Sequence, residues 1–287
     1  VPSNSSGPAY NSKFPSSPAA ESPAERDSRT HPPFVTLLRC VLAVAVQTRL
    51  CFRDGTNPFW PGLIALVSVL AIAFGGMSLW RGTAPVGGAK PGAKTGHAVL
   101  LVGGVLGFVV SVPFGVWTLS AAVLLLLITL VDSRPGLLTD FVVAILASAL
   151  FLGTATAFGR IAQGGYPAAL AFFFFLAWGA TIGIESWKTD ASHHRVTFAT
   201  LMGPRMALAV AGIFFFIFGI ITTWPFLNGL YGPLYFWIVA IGADLPLLWM
   251  WGKLRGRDRE LSEVAVARFN RLARWLTFIV LIGLFLA

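Results

Sequence analysis

The sequence predicts an all-α, polytopic membrane helix bundle with nine transmembrane helices, and three observations predict it. Of 287 residues, 56% are hydrophobic and 11% charged, against about 45–50% and about 25% in soluble globular domains. The apolar residues gather in long runs, and in hydrocarbon only helices of about 20 residues or closed barrels of much shorter strands satisfy the backbone. Lysine and arginine concentrate in alternate loops, the pattern that membrane orientation imposes.

Taken in order, the chain opens with a Ser/Pro-rich segment. Residues 1–33 hold eight serines and seven prolines, a composition that cannot bury enough apolar surface to offset ordering entropy, so residues 1–34 are expected to form a disordered cytoplasmic tail. The nine-helix transmembrane domain then covers 35–287. Breaks at Gly, Pro and charge place spans near 35–52, 58–80, 97–112, 115–131, 137–159, 166–187, 206–223, 229–251 and 271–287. The first carries Arg39 and Arg49, and an interfacial helix is the alternative there. The third and fourth are separated only by Val112-Pro113-Phe114-Gly115. One kinked element is the alternative, but a helix of about 35 residues overruns a bilayer.

With the N-terminus inside, fourteen of the 21 basic residues fall in cytoplasmic loops and three (Arg49, Arg53 and Arg160) in the opposite ones. That asymmetry supports a cytoplasmic N-terminus and a C-terminus on the other side. It also explains the net charge of +9 without nucleic acid, because the charges are spread through loops rather than gathered on one soluble face. Cys40 and Cys51 lie eleven residues apart in one apolar run, about 16 Å along a helix and too far for a disulfide.

Polar candidates gather at the cytoplasmic ends of the even-numbered spans. After span 2, a Gly-rich loop carries Lys90 and Lys94, either wrapping a diphosphate or serving as an ordinary linker. At the end of span 6, Glu185 lies inside the apolar run, where an ionisable group marks a functional candidate; an ion pair with Lys188 one turn on is the structural alternative. His193 and His194 are adjacent and point about 100° apart on a helix, so they read as loop histidines rather than a metal pair. Asp244, midway along span 8, is expected to face the bundle interior and meet a polar group from another span.

Several stretches resemble the UbiA-type membrane prenyltransferase superfamily over residues 36–287. Lys90-Pro-Gly-Ala-Lys-Thr-Gly-His-Ala98 is similar to the family's Arg-Pro-x-x-Ser-Gly run before span 3. Ser133-Arg-Pro-Gly-Leu137 followed by Asp140 resembles its lead into span 5. Glu185-x-x-Lys188 with Asp190, then Thr197-Phe with Gly203-x-Arg205, resembles the segment after span 6. The resemblance implies an isoprenoid diphosphate handled at the cytoplasmic face, Mg²⁺ as cofactor, and Glu185 and Asp190 as catalytic and metal-binding carboxylates. Lys90, Lys94, Lys188, Arg195 and Arg205 would then contact phosphate.

One departure bears on catalysis. Where the family carries an Asn-Asp-x-x-Asp motif, this chain reads Gly75-Gly-Met-Ser-Leu-Trp-Arg-Gly-Thr-Ala-Pro85, without a carboxylate. Mg²⁺ wants oxygen ligands, so the resemblance implies prenyl transfer with lost or altered catalysis. Two readings of different class follow: a transferase-fold protein acting on a polyisoprenoid, or a non-catalytic membrane subunit binding lipid or pigment beside partner membrane subunits. A small-solute transporter would need repeated halves and mid-membrane carboxylates, of which only Asp244 is present.

Overall fold

The computed structural model describes residues 33–52, 59–82, 92–131, 136–192, 195–255 and 263–287. The expected tail, Lys90, Asp132, Arg134, His193 and His194 lie outside these residues. All regular structure among the described residues is helical: α1 (Pro33–Cys51), α2 (Phe59–Gly82), α3 (Gly92–Val110), α4 (Val112–Val131), α5 (Leu137–Ala157), α6 (Ile161–Glu185), α7 (Trp187–Ser192), α8 (Phe198–Met202), α9 (Pro204–Leu227), α10 (Pro233–Phe236), a π-helical segment (Trp237–Asp244), α11 (Leu245–Arg255) and α12 (Glu263–Leu286). Six stretches are long and apolar enough to cross a membrane: Phe59–Leu79, Leu137–Ala157, Ile161–Glu185, Pro204–Leu227, Pro233–Arg255 and Val264–Leu286. The protein is therefore an integral membrane helix bundle. Thr95–Val110 and Val112–Ile128 are shorter apolar helices, and α1, with Arg39 and Arg49, is not among the six.

The last crossing begins at Val264, earlier than the expected 271. Arg268, Arg271 and Arg274 had marked a loop, but they sit on α12 itself, where the exposed Arg268 and Arg271 bury their stems and carry the charge outward while Arg274 is half-buried.

Sequence neighbours pack as antiparallel pairs, and small residues set how closely. A Cβ on Gly75 would meet the Leu100 Cβ at 2.7 Å, and one on Gly103 would meet the Ala71 Cβ at 2.8 Å. Between them Ser68 Oγ donates to the Gly103 carbonyl at 2.5 Å, so α2 and α3 touch backbone to backbone, as small residues allow in membranes. The chain then breaks at Ser111, and Thr118 Oγ1 donates back to the Gly104 carbonyl at 2.8 Å. Thus α3 and α4 fold back on each other as a hairpin, rather than forming one kinked rod.

Helix α6 is the hub. It packs against α1, α5, α9 and α12, and its middle is filled by aromatic rings: Phe174 lies 6.2 Å from Phe215 and 5.5 Å from Phe218, centre to centre. Those rings pack together as part of the core at that level.

The π-helical segment has a local cause. Pro246 offers no amide hydrogen, and its ring clashes with the carbonyl four residues back in an α-helix; widening the preceding turns relieves that clash. The extra width leaves Asp244 buried, 6% exposed.

The close approach at Gly75 predicts that Gly75→Leu separates α2 from α3 and costs about 1–3 kcal/mol, the usual range for overpacking. Gly165→Leu, where a Cβ meets nothing within 4 Å, is expected to change stability by less than about 0.5 kcal/mol. Thermal unfolding of the two variants in detergent checks the difference.

Candidate functional site

Helix α6 ends at Glu185, and Ser186 (φ −102°, ψ 5°) breaks it before α7 begins at Trp187. Glu185 and Lys188, expected on one continuous helix, thus fall on two. Glu185 is instead held from α12: Asn270 Nδ2 donates to Glu185 Oε2 at 2.7 Å and to the Thr181 carbonyl at 3.3 Å. Thr181 Oγ1 in turn donates to Asn270 Oδ1 at 2.7 Å. Asn270 is 2% exposed, so its amide is fully committed between the two helices. Among the described residues the other oxygen of Glu185 makes no hydrogen bond.

Asp190 has a different setting. It is 3% exposed, Ser186 Oγ donates to its Oδ2 at 2.5 Å, and Arg195 Nη1 reaches its Oδ1 at 3.2 Å in an ion pair. The Arg195 amide also donates to the Asp190 carbonyl at 2.8 Å. Both carboxylate oxygens therefore serve the loop's own fold. That loop is capped further along: Thr197 and Thr200 form a reciprocal capping box that starts α8, and Gly203 supplies the positive φ of 84° that leads into α9. The Leu137 amide donates to the Val196 carbonyl at 2.6 Å, tying the start of α5 to the same loop. Asp140 stands within electrostatic range of Asp190 and against Gly179 of α6, whose absent Cβ makes room for it.

The remaining predicted residues are more dispersed. Lys188 is exposed on α7 and Arg205 is exposed on the first turn of α9. Lys94 belongs to the first turn of α3, with its side chain outside the described residues. The sequence reading singled out neither Asn270 nor Arg274. An apolar run carrying one Asn and one Arg looks like a snorkelling surface until the partner helix, 85 or more residues away in sequence, is known.

A second polar cluster lies at the other end of α6. Thr222 Oγ1 of α9 donates to Asp244 Oδ2, as expected for a carboxylate facing another span. The hydroxyl of Tyr235 donates to the Thr222 carbonyl at 2.9 Å, and the hydroxyls of Tyr166 and Tyr235 lie 2.6 Å apart. Asp244 Oδ1 is buried without a hydrogen-bond partner among the described residues.

A groove of about 450 Å³ runs between α11 and α12, lined by Trp249, Met250, Leu272 and Trp275 with Arg268 and Arg271 at its edge. It is apolar along its length, and its wall is the outer face of the helix that carries Asn270 inward.

Against solved structures, this arrangement aligns over most of its length. A digeranylgeranylglyceryl phosphate synthase matches with a TM-score of 0.72 at 12% identity, over 88% of this chain and 95% of that one. A UbiA homologue from Aeropyrum pernix K1 matches at 0.66 and 13%, over 88% and 98%. The chain has the UbiA fold. A third UbiA-fold structure, from Archaeoglobus fulgidus and bound to Cd²⁺, matches at 0.57 and 14%, over 87% and 96%. No family model matches the sequence, and no curated protein matches it either. The likeness is one of backbone, and the chemistry must be argued from this chain's own side chains.

Those side chains offer the expected Mg²⁺ few ligands. Among the described residues no three of His, Cys, Asp and Glu come together, the position after α2 lacks a carboxylate, and Asp190 spends both oxygens on Ser186 and Arg195. Mg²⁺ is usually held by one or two carboxylates, with waters and substrate phosphates completing its shell, and Glu185 is the carboxylate of this segment with an oxygen left to contribute.

Two expectations follow. Arg195→Ala strips Asp190 of its cation in a buried place and is expected to destabilise the protein by about 3–5 kcal/mol, with Arg195→Ala/Asp190→Asn recovering much of it. Thr222→Val leaves Asp244 with no partner and is expected to cost about 1–3 kcal/mol; thermal unfolding of the singles and doubles checks both.

Proposed function

We propose that this UbiA-fold chain handles a polyisoprenoid lipid bearing a phosphate or diphosphate at one membrane face, without the family's magnesium cluster. The observation that carries this reading is Glu185, fixed by Asn270 at the inner end of α6 with one oxygen uncommitted, in a fold shared with a digeranylgeranylglyceryl phosphate synthase. The apolar groove between α11 and α12 suits an isoprenoid tail, and Arg268 and Arg271 stand at its edge. We propose nine membrane crossings, with α1, α3 and α4 added to the six long ones, a cytoplasmic N-terminus preceded by the Ser/Pro-rich tail, and the C-terminus opposite. The site then faces the cytoplasm.

In the transferase form of the proposal, the prenyl carbon–oxygen bond breaks and diphosphate leaves while a bond forms from that carbon to the acceptor. Glu185 takes the acceptor's proton, a role that needs a free oxygen within hydrogen-bond reach. Asp190 acts as a positioning residue through Arg195, and Lys90, Lys94, Lys188 and Arg205 meet the phosphate as it arrives. The second reading, a lipid-binding subunit working with partner membrane chains, is favoured by the missing donor set.

The test is prenyl transfer from radiolabelled geranylgeranyl diphosphate by purified protein, with and without added Mg²⁺, beside mass spectrometry of co-purified lipid. Turnover that falls at least tenfold in Glu185→Gln, with little dependence on Mg²⁺, is the expected outcome. Retention of a polyisoprenoid without turnover selects the subunit reading. Neither turnover nor retained isoprenoid would remove the proposal.

A further inference from the structure

Two half-buried arginines, Arg39 of α1 and Arg274 of α12, come together where α1, α6 and α12 converge. Arg39 Nη2 donates to the Arg274 carbonyl at 2.6 Å. Its guanidinium lies between the rings of Trp178 and Phe278, 5.4 and 5.2 Å from their centres. Trp178 is seven residues from the end of α6, about 10 Å along the helix, so the pair sits well inside the bundle. The side chain of Arg274 stands within electrostatic range of both Arg39 and Glu185.

The charges do not balance. Among the described residues neither arginine makes an ion pair with a carboxylate, and Glu185 spends one oxygen on Asn270. The Nε of Arg39 and the Nε of Arg274 are both buried without a hydrogen-bond partner. Rings attract a cation but accept no ordinary N–H hydrogen bond, and the Arg39 donation to a carbonyl leaves its charge intact. Two like charges within electrostatic range of each other inside a membrane-spanning bundle are expensive, and buried donors are normally satisfied. An anion between them removes both costs at once. Planar guanidinium forks match phosphate oxygens two by two.

We infer that Arg39 and Arg274, backed by Trp178 and Phe278, form a phosphate-binding site at the junction of α1, α6 and α12. The site takes a phosphate or diphosphate monoester. It rests on the proposed function only for the isoprenoid attached to that phosphate, and on these contacts for the phosphate itself. Glu185 borders it, which places an arriving headgroup beside a carboxylate with a free oxygen.

The experiment is equilibrium binding to the full chain in zwitterionic detergent, with inorganic pyrophosphate, geranylgeranyl diphosphate and phosphatidylglycerol as separate probes. Wild type is compared with Arg39→Gln, Arg274→Gln and the two lysine variants. Expected is at least tenfold weaker binding of a phosphate probe in each glutamine variant, and at least threefold in each lysine variant, which keeps charge but loses the fork. Pyrophosphate binding alone supports the site with a free anion as its ligand, and geranylgeranyl diphosphate binding supports it with a lipid-borne one. Binding of phosphatidylglycerol alone, a phosphodiester, overturns the monoester site. Prenyl diphosphate that binds equally well to wild type and all variants overturns the site but leaves the proposed function standing. No binding of any probe by wild type also overturns it. Should a glutamine variant fail to purify folded, the corresponding lysine variant decides, and affinity within twofold of wild type there overturns the inference.

Discussion

A polar group that a helix carries into hydrocarbon must find its partner on another helix, since lipid offers none. This constraint organises the bundle around α6. At one end Thr181 and Glu185 are answered by Asn270 of α12. At the other, Tyr166 is answered by Tyr235 and Thr222. Between them the helix is apolar and aromatic. The two polar ends fix the register of α6 against α9 and α12, and the small residues of the other pairs need only bring backbones together.

The same constraint separates what the sequence discloses from what it hides. Long apolar runs mark Phe59–Leu79, Leu137–Ala157 and Pro204–Leu227 because each follows from local composition alone. Asp244 was legible as inward-facing, since a carboxylate in a long apolar run has few other places to go. Asn270, Arg39 and Arg274 were not, because each acquires meaning only from a residue 85 or more positions away. The loop from Ser186 to Gly203 was half legible. Its charged residues stood out, but their mutual commitment, Asp190 to Arg195 and Thr197 to Thr200, depends on a helix break at Ser186 that no proline or glycine announces.

That loop also changes what the acidic residues there mean. Glu185 and Asp190 look alike as a sequence pair following an apolar helix. In the fold one is tethered to a neighbouring helix with an oxygen left over, while the other holds together the connection between two helices. A donor set counted from sequence thus overstates what is available to a ligand. Basic residues carry the opposite error, because Arg274, which reads as part of a topological signal, is half-buried within electrostatic range of Arg39 and Glu185.

The π-helical segment ties two distant features to one cause. A π-helix turns through less than the roughly 100° per residue of an α-helix, so ordinary α winding of Trp237–Asp244 at unchanged length would over-rotate everything after it. Trp249 and Met250 would leave the groove wall, and Asp244 would lose its place opposite Thr222. The winding of this one segment, and so Pro246 behind it, is therefore what the outer groove and the inner carboxylate are jointly bound to.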